Sequence, residues 1–342
     1  MNKLLDFRSD TVTKPSEAML QAMVEARVGD DVFGEDPSVK LLENLSAAMF
    51  GMESAIFCPS GTMTNQIAIK LHTQPGDEVI CDSKSHIYNY EGGGIAFNSM
   101  CSVALANGDR GRFNATQAQE LIKKDDIHFP NTSLISVENT MNKGGGACYD
   151  WKELEELSSL AKSQGLAFHL DGARLFNALV AKNENPRQYG EIFDTISICL
   201  SKGLGAPVGS LLIGKTDHIK KAKRIRKAFG GGMRQAGFMA AAGIYALENN
   251  VERLATDHNN AKILASELSK TSFVEQIIEP ETNIVIITLK ELITPEIFLD
   301  KLKEINIQAV HFGGQNIRFV THLDLNSNEI NEAIERIKKL EL

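Results

Sequence analysis

Short apolar runs that stop at a polar residue or glycine, each followed by helical spacing, recur along this chain and constrain its fold most. Ser54 to Cys58 is apolar and gives way at Pro59-Ser60-Gly61-Thr62 to a segment whose Asn65, Ile67, Ala68 and Leu71 suit a helix. Glu78 to Cys81 follows the turn Gln74-Pro75-Gly76-Asp77 as a short strand. Leu134 to Glu138 has the pattern of a buried strand, and Trp151 to Gln164 that of an amphipathic helix ended by Gly165. Ala167 to Leu170 stops at Asp171, and Thr195 to Leu200 stops at Ser201-Lys202. Strands apolar throughout are buried on both faces, so their alternation with helices predicts an α/β fold with a mostly parallel sheet covered on either side.

The pattern changes past the middle of the chain. A long helical stretch with few breakers runs from Ala236 toward Leu268. Thr282 to Leu289 is then β-rich and Pro295 to Glu304 helical. Ile307 to Val310 and Asn316 to Thr321 read as strands, and Asn328 to Leu340 closes as a helix. We therefore expect an N-terminal arm over 1–15, a large domain over 16–248 and a smaller α+β domain over 249–342. A length of 342 residues accommodates that division with a sizeable core.

Composition narrows the class without naming a chemistry. At 43% apolar and 23% charged residues the chain reads as soluble and globular. Its net charge of −8 argues against general affinity for nucleic acid or anionic membrane. The start MNKLLDFRSD is charged too early for a signal peptide, and no apolar run could span a bilayer. Five cysteines, at 58, 81, 101, 148 and 199, lie too far apart in sequence for a metal-ligand or redox motif. A reducing cytoplasm fits that usage better than a disulfide framework. No metal is expected: Asp30-Asp31 and Glu35-Asp36 read as loop caps.

Ligands of parallel α/β sheets sit beyond the carboxyl ends of the strands, so the residues that end strands are the candidates. Ser60-Gly61-Thr62, between strand and helix, could cradle a phosphate with amides and hydroxyls, although taken alone the motif is better explained as a plain N-cap. Asp171, with Arg174 three residues on, could receive a cationic ring nitrogen, or it could simply cap its own helix. Lys202 follows a fully apolar strand and precedes Gly203 and Gly205. There burial would free its amine as a nucleophile for Schiff-base chemistry, against the alternative of an ordinary loop lysine. Asp171 and Lys202 are 31 residues apart, about one strand–helix–strand repeat, which puts both in one cleft. His86, after the strand ending at Cys81, could stack on a cofactor ring and act as a base near neutral pH. Phosphate cradle, carboxylate, lysine and histidine together point to pyridoxal phosphate. The basic run Lys220 to Lys227 would suit a nucleic-acid or nucleotide module, but it lacks interleaved aromatics and reads better as a solvated or subunit-facing helix.

In order along the chain, these motifs resemble the L-threonine aldolases, in the β-eliminating-lyase branch of the fold-type I pyridoxal-phosphate enzymes. The likeness begins at Phe7-Arg8-Ser9-Asp10-Thr11-Val12-Thr13 and continues through Gly29 to Pro37. It passes through the four strand ends to Gly230-Gly231-Gly232-Met233-Arg234-Gln235, and Arg318 suits the same pattern. The resemblance implies pyridoxal phosphate held by Lys202 as a Schiff base, with Asp171 at the ring nitrogen and His86 against the ring face. Ser60, Gly61 and Thr62 would hold the phosphate, with Arg234 reaching it from a neighbouring subunit. Ser9, Arg174 and Arg318 would grip the substrate carboxylate, Arg174 also lying near the cofactor. His128 would lie near the substrate side chain, and Glu91 would orient the hydroxyl or a water. Either His86 or His128 would be the base, and the sequence does not choose between them. Met141 stands where relatives often carry a histidine, a difference that bears on side-chain preference. The implied reaction is retro-aldol cleavage of threonine or allo-threonine to glycine and acetaldehyde, with β-elimination or racemisation of another amino acid as the alternative. The implied assembly is a homo-oligomer, at least a dimer and by family likeness a tetramer, in the cytoplasm.

Overall fold

A computed structural model describes residues 3–340. Its main sheet has seven strands, in the order Ser54–Cys58, Ser210–Gly214, Thr195–Cys199, Ala167–Gly172, Thr132–Glu138, Glu78–Asp82 and Ser102–Ala106. Six run in one direction, and Ser210–Gly214 alone is antiparallel to both its neighbours. Strands Glu78–Asp82 and Thr195–Cys199 are buried along their whole length, which is why they read as strands without alternation; Ser210–Gly214 is equally buried but was not expected from the sequence. The edge strand Ser102–Ala106 is partly exposed, and the sequence pattern did not single it out either.

Helices cover both faces of the sheet. Gly61–His72 is capped by Ser60, whose hydroxyl accepts from the Met63 N–H at 3.2 Å. Trp151–Gln164 ends at Gly165 with a φ of 68°, a left-handed cap that a side chain would resist. Helix Gly237–Asn249 is rich in small residues for a reason: a Cβ on Gly243 would lie 2.7 Å from Leu200 and 2.9 Å from Leu42. This close approach braces the strand end that leads into Lys202.

The expected helix over 236–268 is two helices, Gly237–Asn249 and Leu254–Leu268. The chain breaks at Asn250, whose side-chain amide donates to the Leu204 carbonyl at 2.7 Å and ties the break to the loop after Lys202. Leu254 belongs to the apolar core of the large sheet, while Ala261, Leu264 and Leu268 of the same helix belong to a second core. That second core lies under a four-stranded antiparallel sheet ordered Val310–His311, Asn316–Val320, Ile284–Leu289 and Val274–Ile278. The run 307–310 is likewise not one strand. Ile307–Gln308 pairs in parallel with Leu5–Asp6, whereas Val310–His311 joins the antiparallel sheet. Through the first pairing the N-terminal segment is fastened to the smaller core.

Candidate active site

Strand register sets two carboxyl groups side by side. Glu138 is paired with Asp171 across one strand boundary, and Asp171 with Ser197 across the next, all near the carboxyl ends of their strands. Asp171 is buried; its Oδ1 accepts the Ala173 N–H at 3.2 Å, while Oδ2 has no partner. A buried carboxylate oxygen left unpaired is costly and calls for a donor. Glu138 is also buried, but its oxygens accept the backbone N–H groups of His86 at 2.7 Å and Asn142 at 2.9 Å. Burial, with the neighbouring Asp171 charge, pushes the Glu138 carboxyl up to about 7.

His86 opens the short helix His86–Asn89, and its Nδ1 lies 3.0 Å from Oε1 of Glu91. Glu91 is fully enclosed and accepts from Asn65 Nδ2 at 2.9 Å and Gln66 Nε2 at 2.6 Å. An ionised carboxylate only accepts, so Nδ1 of His86 carries the proton and Nε2 is the ring's free nitrogen. The chain of donors extends behind Glu91. His169 Nε2 lies 3.2 Å from Asn65 Oδ1, its Nδ1 lies 2.9 Å from Thr195 Oγ1 and 3.2 Å from the Thr195 carbonyl, and His72 Nε2 lies 3.0 Å from Thr195 Oγ1. Burial holds His169 down at about 4 and His72 at about 3, so both are neutral and each has one donor nitrogen to place. Burial alone would also lower His86. The hydrogen bond to Glu91 and the charges of Asp171, Glu91 and Glu138 outweigh it, and the net shift is upward.

Ser9, His86, Arg174, Lys202 and Arg318 line one cavity of about 370 Å³. Side-chain atoms of His86, Glu91 and Asp171 lie within 4.8 Å of one another, His86 alone of the three lining the cavity. The Lys202 carbonyl is fixed by the Thr13 hydroxyl at 3.0 Å and the Gly205 N–H at 2.8 Å. Arg174 is buried and makes two bonds to Asp10, at 2.8 Å and 2.6 Å. Burial would raise the Asp10 carboxyl, but the charges of Arg174 and Lys202 hold it at about 2. Arg318 donates to Asn142 Oδ1 and to the Arg8 carbonyl, each at 2.9 Å, and its Nε has no partner. Burial, with the Arg174 charge, lowers its guanidinium to about 10. A cation so short of counter-charge is a fitting receptor for a carboxylate.

Other expected site residues lie elsewhere. Ser60, Gly61 and Thr62 are outside the cavity wall, at the start of helix Gly61–His72, where a Cβ on Gly61 would be 3.1 Å from Cys199 Sγ. The N–H groups of Gly61 and Thr62 precede the first intrahelical bond, from the Thr64 N–H to the Ser60 carbonyl. His128 is exposed, its ring bonded to Asp126 at 2.6 Å, away from its own chain's cavity. Arg234 is also largely exposed; it donates to Asp30 at 2.8 Å and lies 5.8 Å from the Phe33 ring centroid. Glu91 was expected beside a substrate hydroxyl or water and is found behind His86, with its oxygens already engaged by side chains. Met141 is buried against Gly111 and does not line the cavity. Asp10 and Glu138 also belong to the site, and the one signal for them in the sequence is a carboxylate in each of two quoted segments. The basic run is part of helix Thr216–Ala228, whose Arg226 is buried and bonded to the Phe57 carbonyl and Asp31.

The unpaired Oδ2 of Asp171 fits a protonated ring nitrogen, and the strand-end lysine in the same region fits an aldehyde. Fold and site define a pyridoxal-phosphate enzyme of fold type I. The chain belongs to the beta-eliminating lyase family, whose model matches residues 6–292. It is 42% identical to the low specificity L-threonine aldolase of Escherichia coli K12 over 332 residues, 96% of this chain and 97% of that one. It is 38% identical to low-specificity L-threonine aldolase 1 of Arabidopsis thaliana over 337 residues, 96% and 94% of the two chains. The solved structure of Leishmania major threonine aldolase superposes with a TM-score of 0.84 at 22% identity, covering 98% of this chain and 99% of that one.

Proposed function

We propose that the enzyme cleaves L-threonine and L-allo-threonine to glycine and acetaldehyde, using pyridoxal phosphate. The single observation that carries the reading is the free Nε2 of His86, its other nitrogen fixed by Glu91, in the cavity that also holds Lys202. It stands beside the likeness to low-specificity threonine aldolases along nearly the whole chain.

Lys202 would hold the cofactor's aldehyde carbon, Asp171 its ring nitrogen, and His86 one face of its ring. The N–H groups of Gly61 and Thr62, with Ser60, would hold the phosphate at a helix N-terminus, joined by Arg234 from a neighbouring copy. When bound, the cofactor supplies an electron sink for the bonding pair of the Cα–Cβ bond. Arg318 and Arg174, with Ser9, hold the substrate carboxylate. Because Asp10 clamps Arg174 from behind, that carboxylate is held in one orientation, which selects the bond that breaks. Nε2 of His86 takes the proton of the β-hydroxyl, and Glu91 stabilises the imidazolium that results. His128 is exposed outside its own chain's cavity, so within one chain His86 is the assigned base.

Support for a homo-oligomer, a dimer at least and a tetramer by family likeness, is the position of Arg234, which is exposed and does not line its own chain's cavity. A cytoplasmic location accords with five free, buried cysteines. Among the described residues, no helix is long and apolar enough to cross a membrane.

Incubating the purified holoenzyme with L-threonine tests the reaction. Stoichiometric acetaldehyde and glycine are expected. 2-Oxobutanoate and ammonia instead, or pyruvate from serine with no acetaldehyde from threonine, would replace the aldolase reading with β-elimination.

A further inference from the structure

A second cavity, of about 410 Å³, opens beside the first, and the two share Lys143 and Phe312 in their walls. Lys84 also lines the second cavity, and no carboxylate lines either one. The nearby acidic groups Glu91, Glu138 and Asp171 are buried around His86. Lys143 and Lys84 make no side-chain ion pair or hydrogen bond among the described residues.

Lys143 is held by aromatic faces. Its Nζ lies 4.3 Å from the centroid of Phe312 and 5.6 Å from that of Tyr90. A ring face positions a cation without neutralising it, so the charge stays available to an anion. The Arg318 guanidinium lies 4.9 Å from the same Phe312 ring. Two cations therefore rest against one phenyl group, one assigned to the α-carboxylate and one without a use in threonine cleavage. A molecule that engaged both would carry two carboxylates a few carbons apart.

We propose that Lys143, with Lys84 beyond it, forms a subsite for a carboxylate on the β-substituent. β-Hydroxy-α-amino acids with an acidic side chain are then substrates alongside threonine. The inference rests on the aldolase reading above. In the synthetic direction the Cα of glycine loses a proton and bonds to the aldehyde carbon. The aldehyde oxygen gains a proton as the new hydroxyl, and nothing is oxidised or reduced.

The test uses the holoenzyme with glycine and three aldehydes: succinic semialdehyde, its uncharged methyl ester, and pentanal. Threonine cleavage is the control. Wild type is expected to favour succinic semialdehyde over the ester by about tenfold in kcat/KM, with the preference weakening as salt rises. Lys143→Gln should abolish most of that preference while threonine cleavage stays within about twofold, and Lys84→Gln should reduce it less. Normal threonine cleavage with no preference for the charged aldehyde overturns the subsite alone. So does a preference that survives Lys143→Gln, or a parallel loss of both activities in that variant. A wild-type enzyme that leaves threonine intact overturns the aldolase reading and the subsite with it.

Discussion

Nδ1 of His86 lies 3.0 Å from Oε1 of Glu91, and this one hydrogen bond decides which nitrogen of the imidazole is free for proton transfer. Asn65 and Gln66 hold the carboxylate from behind, and the Asn65 amide is in turn oriented by His169. Glu91 thus meets Asn65, Gln66 and His86 at once, so the carboxylate has no freedom to turn away.

Glu91→Gln should accordingly reduce kcat about a hundredfold, within the range general-base groups contribute. The pH profile carries the sharper expectation. Only neutral His86 can accept the hydroxyl proton, so activity falls as pH drops through the raised pKa of this ring. Removing the Glu91 charge lowers that pKa and moves the acid limb to lower pH. A limb that stays in place in the kcat profile would assign it to a different group.

Asp10→Asn should destabilise the protein by about 3–5 kcal/mol, because it leaves the buried Arg174 guanidinium without a counter-charge. The sign of the pH dependence follows from a carboxyl held at about 2 against an ordinary 3.8. Its stabilising contribution is fully present above the ordinary value and is lost as pH falls toward 2. Urea unfolding of the two proteins should thus differ most near neutral pH and converge in strong acid. A gap that does not close on acidification would mean that the carboxylate charge is not what matters at this position.

Asp171→Asn should spare the fold and damage the chemistry. Its Oδ1 can still accept the Ala173 N–H, and Oδ2 has no partner to lose. A drop in kcat of about 10²–10³ is expected, on the scale of losing one preorganised electrostatic group. Because the Asp171 charge helps push Glu138 up to about 7, the variant should also bring the Glu138 carboxyl down. Thermal melts from pH 5 to 8 check both points. A much lower melting temperature would make Asp171 a structural residue.

The strand-end residues were legible in the sequence because a fully buried strand must stop where polarity returns, and that edge is where Asp171 and Lys202 stand. That their two strands are neighbours was legible too, since one repeat of strand and helix has a known length. The partners that tune them were not. Asp10 lies far along the chain from Arg174, and only the packing of the N-terminal segment against both cores brings them together. Glu91 was visible as a carboxylate near His86, but whether it faced a substrate or the ring depended on Asn65 and Gln66, which sit on another helix. The run 307–310 looked like one strand because alternation does not record a change of partner between Gln308 and Val310. Met141 drew attention by its type, whereas its neighbour Asn142 is the residue that reaches Arg318.

The arrangement of Arg234 gives a test of shared sites that needs no structure of the assembly. Its guanidinium is held outward by Asp30, on the surface of its own chain. If it completes a neighbouring copy's phosphate site, Arg234→Ala should weaken cofactor retention. Lys202→Ala should abolish both turnover and the visible absorbance due to cofactor linked to the lysine. Each homo-oligomer is then impaired for a different reason. When the two variants are unfolded together in equal amounts and refolded with cofactor, mixed pairs place an intact Lys202 opposite an intact Arg234. In a twofold pairing about one quarter of all sites regain both residues, since each mixed pair restores one of its two sites and half the pairs are mixed. Recovery of activity toward that fraction, above the sum of the separately refolded variants, is the expected result. Activity that never exceeds that sum would mean that Arg234 serves its own chain or no site at all.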